Sequence, residues 1–290
     1  MNFLEKLLGV SRQHNSLLCV GLDPEPGLFP VVLRDVPVEK AVIRFCHAII
    51  EATAAFMCAF KPNIAFFEAL GPAGMSVFQE VLAAIPAYIP VIIDAKRGDL
   101  GNTARNYATT VFDIYGCDAV TVNPYLGYDS IAPFLAYRDK GVIMLCRTSN
   151  PSARDFQDLL VQDGEGQQRP LYEVVARRVQ TWNEAGNCGL VVGATYPQEL
   201  RVIRSLCPTM PILIPGVGAQ GGDLEASIQA GVDKHGERAI LAVSRSILYA
   251  GGSHDFATRA GQEAQRLRNL MNEARSTAKD EPTNRAGTTP

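Results

Sequence analysis

Two lysines and two carboxylates lie at the ends of apolar runs in this sequence, where they could stabilise charge or transfer a proton. Asp94 and Lys96 stand two residues apart in Val-Ile-Ile-Asp-Ala-Lys, so in a strand both side chains would emerge on the same side. Asp99 follows just past that run, and Lys61 ends the run Met-Cys-Ala-Phe-Lys. Because buried charges persist only when paired and hydrogen-bonded, we predict an alternating network of ammonium and carboxylate groups. Ion bridges that merely tie strand ends together are the alternative.

A second cluster has the composition of a phosphate site. Glycines surround Gln220 in Pro215-Gly-Val-Gly-Ala-Gln220-Gly-Gly-Asp, and Arg245 follows a later apolar run in Ser244-Arg-Ser-Ile. Glycines let backbone N–H groups approach an anion closely, and a helix starting after that run would offer its N-terminus. Arg245 can bind phosphate oxygens bidentately, with Gln220 as an amide donor. A glycine-rich loop alone is often only a turn, but together with Arg245 it predicts phosphate binding.

Four further polar residues follow apolar runs, and structural roles are open to them as well. Asp23 ends Val-Gly-Leu-Asp, where it could cap a helix or turn, or accept hydrogen bonds from two sugar hydroxyls. Ser149, in Thr-Ser-Asn-Pro, could hydrogen-bond a polar heterocycle or occupy a loop turn. Asn63 and Asn123 come at the ends of two other runs, and we include both among the candidate binding residues.

These residues are positioned by eight short apolar runs that alternate with helical patterns. The runs are continuously hydrophobic, which is typical of strands in a parallel sheet covered on both faces. They are residues 17–22, 57–61, 91–96, 119–123, 141–147, 190–194, 212–215 and 239–244. Eight strand–helix units in about 260 residues favour a closed (β/α)8 barrel, in which reactive groups come from the carboxyl ends of the strands. No Gly-x-Gly-x-x-Gly follows the first strand, which disfavours a dinucleotide-binding fold.

The domain organisation is simple, because no shift in composition marks a boundary. Residues 1–274 are predicted to form a single-domain α/β TIM barrel with a short N-terminal helix. The polar segment 150–169, after the fifth strand, is predicted to be a lid or an excursion. Residues 275–290 are polar and lack periodicity, which predicts a disordered C-terminal tail.

The composition argues against several other functions. The chain has 290 residues, 47% hydrophobic and 20% charged, with a net charge of −3, so no basic surface for nucleic acid is indicated. No stretch reaches the ~20 apolar residues of a membrane span, and no export signal is evident. Seven scattered cysteines without a Cys-x-x-Cys pair predict buried thiols in a cytoplasmic protein. Four histidines lie at no metal-ligand spacing, so we predict no metal site and no Ser–His–Asp nucleophile.

Taken in order, the motifs resemble the orotidine 5′-phosphate decarboxylase family over residues 15–275, and are most similar to its longer bacterial subgroup. They are Val-Gly-Leu-Asp23, Phe-Lys61-Pro-Asn63, Asp94-Ala-Lys96-Arg-Gly-Asp99, Thr-Ser149-Asn-Pro, Pro215-Gly-Val-Gly-Ala-Gln220-Gly-Gly-Asp and Ser-Arg245-Ser-Ile. The resemblance implies decarboxylation of orotidine 5′-phosphate (OMP) to uridine 5′-phosphate (UMP), the last step of de novo UMP synthesis. It implies no metal and no organic cofactor.

The resemblance also implies a role for each candidate residue. Lys61, Asp94, Lys96 and Asp99 would form a catalytic tetrad, in which Lys96 stabilises and then protonates a carbanion at C6 of the pyrimidine. Asp99, with Leu100 and Thr103, would cross into the partner's site in an obligate homodimer.

The remaining roles concern substrate binding. Asp23 and Lys61 would bind the ribose hydroxyls, and Ser149 would bind the pyrimidine. Gln220 and Arg245 would bind the phosphate. The further substrate-binding candidates are Asn63, Asn123, Pro215 and Ser244.

Two other functions compete with this one. Sugar-phosphate enzymes of the same suprafamily share an Asp-x-Lys-x-x-Asp strand but use a Mg²⁺-bound enediolate, and Lys61 stands where they would need a carboxylate ligand. A non-catalytic barrel that senses a nucleotide or phosphosugar would be expected to have a degraded tetrad, whereas all four charged residues are present.

Overall fold

The computed structural model describes residues 1–217 and 222–280, and these residues form an eight-stranded parallel barrel surrounded by helices. The barrel strands are β1 Leu18–Leu22, β2 Ala59–Pro62, β3 Ile92–Arg97, β4 Ala119–Val122, β5 Gly141–Arg147, β8 Cys188–Val192, β9 Ile212–Pro215 and β10 Ala239–Val243. Isolated bridges from Phe60 to Val91 and from Asn63 to Asp94 join β2 to β3 and close the barrel. The predicted (β/α)8 fold is therefore confirmed.

Helices surround the barrel, and all of those described except the first follow strands and cover its outside. They are α1 Phe3–Gln13, α2 Val38–Thr53, α3 Ile64–Glu68, α4 Gly74–Ala83, α5 Gly101–Thr109, α6 Tyr128–Leu135, α7 Leu171–Trp182, α8 Pro197–Leu206, α9 Leu224–Gly231, α10 Arg245–Leu248 and α11 Phe256–Asp280. Val42, Phe45 and Ile49, which repeat at helical spacing in the sequence, are fully buried on α2. Each such face packs on the outside of the strands, which explains why the strands are apolar on both sides.

The N-terminal helix α1 contributes to the inside of the barrel. Its Phe3 and Leu7 are buried in one apolar cluster with strand residues such as Ala119 and Ile143, which form an inner layer. Gly141 makes room for the helix, since a Cβ at that position would lie 2.3 Å from the Phe3 ring. The predicted short helix is confirmed, and its apolar residues form part of the barrel's inner core.

Residues 150–169 form an excursion with secondary structure of its own. A 3-10 turn covers Pro151–Asp155, and an antiparallel hairpin pairs β6 Leu160–Gln162 with β7 Gln168–Pro170. Asp163 stabilises the hairpin turn, because its carboxylate accepts hydrogen bonds from the backbone N–H groups of Glu165 and Gln167. The excursion is confirmed, and a role as a lid stays a prediction.

The closing helix extends further than the sequence indicates. α11 continues to Asp280, so the first six residues of the tail predicted from 275 are helical, and residues 281–290 lie outside the described part of the chain. The helix continues because tertiary contacts anchor it: Ala274 is buried, and Arg275 and Asn272 hydrogen-bond Asn15. These contacts join residues far apart in sequence, and a polar composition does not indicate them.

Two predictions from composition can be compared with the structure. All seven cysteines are free thiols and buried, as predicted for small core residues. No helix within residues 1–217 and 222–280 has the length and apolarity needed to cross a membrane.

Candidate active site

A cavity of about 620 Å³ opens at the carboxyl ends of the barrel strands. Its size is within the usual range for a small-molecule site. Nine residues predicted from the sequence line it: Asp23, Lys61, Asn63, Asp94, Lys96, Ser149, Pro215, Ser244 and Arg245. These nine residues come from six of the eight strands and the loops that follow them.

Asp94 joins two lysines at the centre of the cavity. Its Oδ2 accepts a hydrogen bond from Lys61 Nζ at 2.9 Å, and its Oδ1 accepts one from Lys96 Nζ at 2.6 Å. Thr121, on β4, donates its hydroxyl to the same Oδ1 at 3.0 Å. The Lys61 side chain is only 6% exposed, whereas that of Lys96 is 51% exposed and reaches the open cavity. Three of the four predicted tetrad residues thus form one connected chain.

Opposite charges set the protonation of this chain. Burial of the Lys61 ammonium would lower its pKa, but the carboxylates of Asp23 and Asp94 outweigh burial and raise the pKa of Lys61 above its ordinary value. Burial would raise the pKa of Asp94, yet Lys61 and Lys96 hold the pKa of that carboxyl well below its usual range. Lys61 and Asp94 are therefore both charged at neutral pH.

An irregular backbone, rather than a regular pleat, brings Asp94 and Lys96 together. The pairing of β3 with β4 shifts register between Ile93 and Arg97, and Lys96 has a φ of +48°. Left-handed backbone is uncommon for a residue with a Cβ and concentrates at functional sites. Thr121 Oγ1 holds this conformation, because it accepts the backbone N–H groups of Ala95 and Lys96, each at 3.1 Å.

Asp99, Leu100 and Thr103 do not line the cavity of their own chain. The Asp99 carboxylate accepts the backbone N–H of Leu100 at 2.7 Å, and within the described residues it forms no ion pair with a lysine or arginine. Leu100 is 53% exposed, and Thr103 lies in the first turn of α5. A single chain therefore contains three tetrad members in contact and holds the fourth outside the cavity.

The two asparagines have structural partners. Asn63 caps α3 by accepting the N–H of Ala65, and it also lines the cavity. Asn123 caps the turn that follows β4 by accepting the N–H of Tyr125, and it lies in a neighbouring groove instead of the cavity. The prediction that Asn123 binds substrate is not tested by this position and stays a prediction.

The predicted phosphate end has its basic group in place. Arg245 lines the cavity at the start of α10, next to Ser244, and Gly216, just after the neighbouring strand β9, lines it as well. Gly216 has a φ of +95°, a conformation that favours glycine, and its carbonyl accepts the N–H of Gly222 at 3.2 Å, which ties the loop ends together. Gln220 lies outside the described residues. α10 has only four residues, so its dipole is small and Arg245 supplies most of the positive charge.

Asp23, which follows β1 beside the end of β10, has a free acceptor in the cavity. Its Oδ1 is buried and has no hydrogen-bond partner among the described residues. A buried oxygen without a partner is costly, so it is expected to accept a hydrogen bond from a ligand. The backbone at Asp23 is fixed by Tyr249, whose hydroxyl donates to the Asp23 carbonyl at 3.2 Å.

Several cavity residues were missed in the sequence. Thr121 is a polar residue inside the apolar strand Ala-Val-Thr-Val, and that break in the pattern could have identified it. Gln157 lines the cavity from the excursion after β5, where no local pattern distinguishes it. Arg147, at the end of β5, is completely buried just behind the wall of the cavity.

The fold and the site define a (β/α)8-barrel protein with a paired lysine–aspartate centre and an arginine placed for an anion. The sequence model of the Orotidine 5'-phosphate decarboxylase / HUMPS family matches residues 16–260, and the chain belongs to this family. Similar proteins include an orotidine 5'-phosphate decarboxylase of Dehalococcoides mccartyi, 50% identical over 95% of this chain and 99% of that protein. Another, of Verminephrobacter eiseniae, is 50% identical over 95% of this chain and 100% of that protein.

Solved structures of proteins with related names are also similar to this chain. The OMP decarboxylase of Leishmania donovani is 41% identical, with a TM-score of 0.82, over 95% of this chain and 100% of that one. The UMP synthase of the same organism is 42% identical, with a TM-score of 0.84; the match covers 95% of this chain and 57% of that longer chain.

Proposed function

We propose that the protein decarboxylates OMP to UMP, without a metal or an organic cofactor, in the last step of de novo UMP synthesis. The observation that carries this proposal is the chain Lys61–Asp94–Lys96 at one side of a cavity that also holds Arg245. Membership of the family and the names of the similar proteins support it.

Lys96 is the proposed acid. Loss of CO₂ from C6 of the pyrimidine leaves an electron pair in an sp² orbital, with no adjacent carbonyl to accept it. An ammonium beside C6 would stabilise that charge and then protonate the carbon. Lys96 suits this role because its side chain is half exposed to the cavity while Asp94 holds the nitrogen at 2.6 Å.

Asp94 and Lys61 are proposed to prepare the site. The Asp94 carboxylate would lie against the carboxylate of the substrate, where repulsion would raise the energy of the ground state. Its fixed negative charge also holds the Lys96 ammonium in place. Lys61, buried against Asp94, fixes the position of that carboxylate and would donate to the ribose.

The cavity also suggests how the substrate is seated. Asp23 would accept the ribose hydroxyls through its unpartnered oxygen, and Arg245 would bind the phosphate with Gln220. Ser149, on the opposite wall, would hydrogen-bond the pyrimidine. Remote phosphate binding then contributes free energy to organising the site around C6.

We also propose that the protein is a homodimer in the cytoplasm, in which Asp99 completes the tetrad of the partner. Asp99 lies outside the cavity of its own chain, and the neighbouring Leu100 presents an exposed apolar side chain. Leu100 and Thr103 would contact the partner's site together with Asp99.

A single assay tests the reaction. The pure protein is mixed with OMP in excess EDTA, and the decrease in the ultraviolet absorbance of OMP is followed. Rapid loss of absorbance in chelator is the expected result. No loss, or activity restored only by Mg²⁺, would contradict the proposal.

A second function must also be tested, because the description of the matched family names HUMPS proteins as well. A sugar-phosphate enzyme with a Mg²⁺-bound enediolate would need a carboxylate ligand at the end of β2. Lys61 occupies that position and places a positive charge there, which opposes a cation. Turnover of a sugar phosphate that depends on Mg²⁺ would favour this alternative.

A further inference from the structure

Arg147, at the carboxyl end of β5, is a buried charge that the proposed chemistry does not use. Its side chain is 0% exposed and does not line the cavity. The pairing of β5 with β8 shifts register between Leu145 and Arg147. Such an irregularity redirects side chains. Here Leu145 still lines the cavity, whereas Arg147 points behind the wall that continues with Thr148 and Ser149.

The guanidinium connects the end of β5 with the turn before α8 and with the excursion after β5. It lies 3.6 Å from the centre of the Tyr196 ring, in the turn before α8. Its Nη2 pairs with the Asp158 carboxylate at 3.2 Å, and its Nη1 donates to Gln157 Oε1 at 3.2 Å, both in the excursion after β5. The Asp158 side chain is 40% exposed, so this partner compensates the buried charge only partly.

Gln157 connects the Arg147 guanidinium to the cavity wall. Its Oε1 accepts the backbone N–H of Thr148 at 2.8 Å, and its Nε2 donates to the Thr148 hydroxyl at 2.9 Å. The Arg147 carbonyl accepts the N–H of Gly193 at 2.7 Å. Ser149 is in turn packed against Gly193, where an added Cβ would lie 2.7–2.9 Å from Ser149 atoms. Thr148, next to Ser149, is thus held by Gln157, which the Arg147 guanidinium contacts, and Gly193 is held by the Arg147 backbone and packs against Ser149.

We propose that Arg147 is a positioning residue for the base end of the site: it holds Ser149 and Gln157 on the cavity wall without touching the substrate. The buried Nε of Arg147 has no partner among the described residues, so the guanidinium costs folding free energy. A buried, incompletely satisfied cation is expected where the arrangement that it imposes is needed. The assignment of the base to this end rests on the proposed function.

The test distinguishes an effect on binding of the base from an effect on binding of the phosphate. UMP would contact both ends, whereas ribose 5-phosphate would contact only the ribose and phosphate groups near Asp23 and Arg245. Calorimetric titration gives both dissociation constants for the wild type and for Arg147→Met, which keeps the length of the side chain but removes its charge and donors. We expect the dissociation constant of UMP to rise about tenfold or more, because the hydrogen bonds of Ser149 and Gln157 to the base would be weakened or lost. That of ribose 5-phosphate should change less than about twofold.

Further variants keep the test informative. Arg147→Lys retains the charge but not the planar fork, so it should recover part of the UMP affinity. Asp158→Asn removes the pairing charge from the exposed side and should cause the same selective loss, to a smaller extent, even if Arg147→Met does not fold. Arg154→Met is the matched control, because Arg154 is an exposed arginine in the same excursion.

The outcomes are distinct. Equal weakening of UMP and ribose 5-phosphate, or unchanged binding of both in the Arg147 and Asp158 variants, would overturn the positioning role. If the wild type neither binds UMP nor decarboxylates OMP, the proposed function fails and this inference fails with it. A wild type that does both, with variants that lose no base selectivity, overturns only the role of Arg147.

Discussion

Asp94 organises the site because its two oxygens serve different partners. One oxygen accepts a hydrogen bond from the buried Lys61, and the other accepts hydrogen bonds from Lys96 and Thr121. The carboxylate cannot rotate without breaking one of these bonds. A single residue therefore fixes the position of the proposed acid.

The lowered pKa of Asp94 has a consequence for stability. Replacing Asp94 with Asn leaves the buried Lys61 without its closest counter-charge, and we expect the free energy of unfolding to fall by about 3 kcal/mol. Because folding lowers this pKa from 3.8, the contribution is fully present above that value and is lost as pH falls through the folded pKa. Urea unfolding of the wild type and Asp94→Asn should therefore differ by a constant amount from about pH 7 to pH 5 and by less below about pH 4.

The control for this measurement is Asp155→Asn, since Asp155 is an exposed carboxylate. Its free energy of unfolding should stay within about 0.5 kcal/mol of the wild type. A loss of the same size in both variants would contradict the role of the buried pair.

Replacing Lys96 separates catalysis from binding. Lys96→Ala removes the proposed proton donor, so OMP turnover should fall by about 10³-fold or more. The phosphate and ribose contacts remain, so the dissociation constant of UMP should change by less than about fivefold. Lys40→Ala, at an exposed position on α2, is the control and should keep wild-type turnover. Turnover near the wild-type rate in Lys96→Ala would rule out the proton-donor role.

At the scale of elements, two strands lose their regular pairing as they enter the site. β3 shifts register before Arg97, and β5 shifts register before Arg147. Regular strands elsewhere keep the inner layer packed, whereas these irregular ends direct Lys96 and Ser149 toward the cavity. The barrel is the rigid scaffold, and the local register shifts orient the functional side chains.

Gly193, just after β8, is predicted to set the position of Ser149. A Cβ at Gly193 would lie within 2.9 Å of the Ser149 Cα, Cβ and N atoms, and most of these are backbone that cannot move freely. Gly193→Ala should therefore raise the KM for OMP by about tenfold by displacing Ser149. Steady-state kinetics provides the measurement, and Gly9→Ala, with no atom near its added Cβ, should leave KM unchanged. An unchanged KM in Gly193→Ala would show that Ser149 does not need its present position.

At the scale of the whole molecule, the position of Asp99 connects activity to assembly. Three tetrad members are in contact within one chain, and the fourth does not line that cavity. If Asp99 completes the partner's site, isolated chains are inactive, and activity should fall on dilution below the dissociation constant of the dimer.

Mixing two inactive variants tests this arrangement. Lys96→Ala and Asp99→Ala should each be nearly inactive, but heterodimers would contain one intact site built from both chains. Random association makes roughly half of the dimers mixed, so about a quarter of wild-type activity should return after unfolding and refolding the mixture together. Failure to regain activity, with dimers present by size-exclusion chromatography, would contradict the crossing of Asp99.

Much of the fold and the site followed from local patterns. The eight apolar runs identified the strands, with ends within two residues of those in the structure, because buried parallel strands must be apolar on both faces. Residues at or just after their carboxyl ends, all of them polar except Pro215, are the nine predicted residues that line the cavity. The turn cap formed by Asn123 was not evident from the sequence, and α11 continued past 274 because of contacts with Asn15.

The sequence by itself determined which chemical groups meet. The carboxyl ends of the parallel strands all lie at one end of the barrel, so the residue types at those ends decide which groups line the cavity. Only the tertiary structure decided how they meet. The left-handed backbone at Lys96, the free oxygen of Asp23 and the buried Arg147 behind Ser149 depend on contacts between distant segments. Such contacts are set by packing and not by local propensity, so the pairing within the site became visible only in three dimensions.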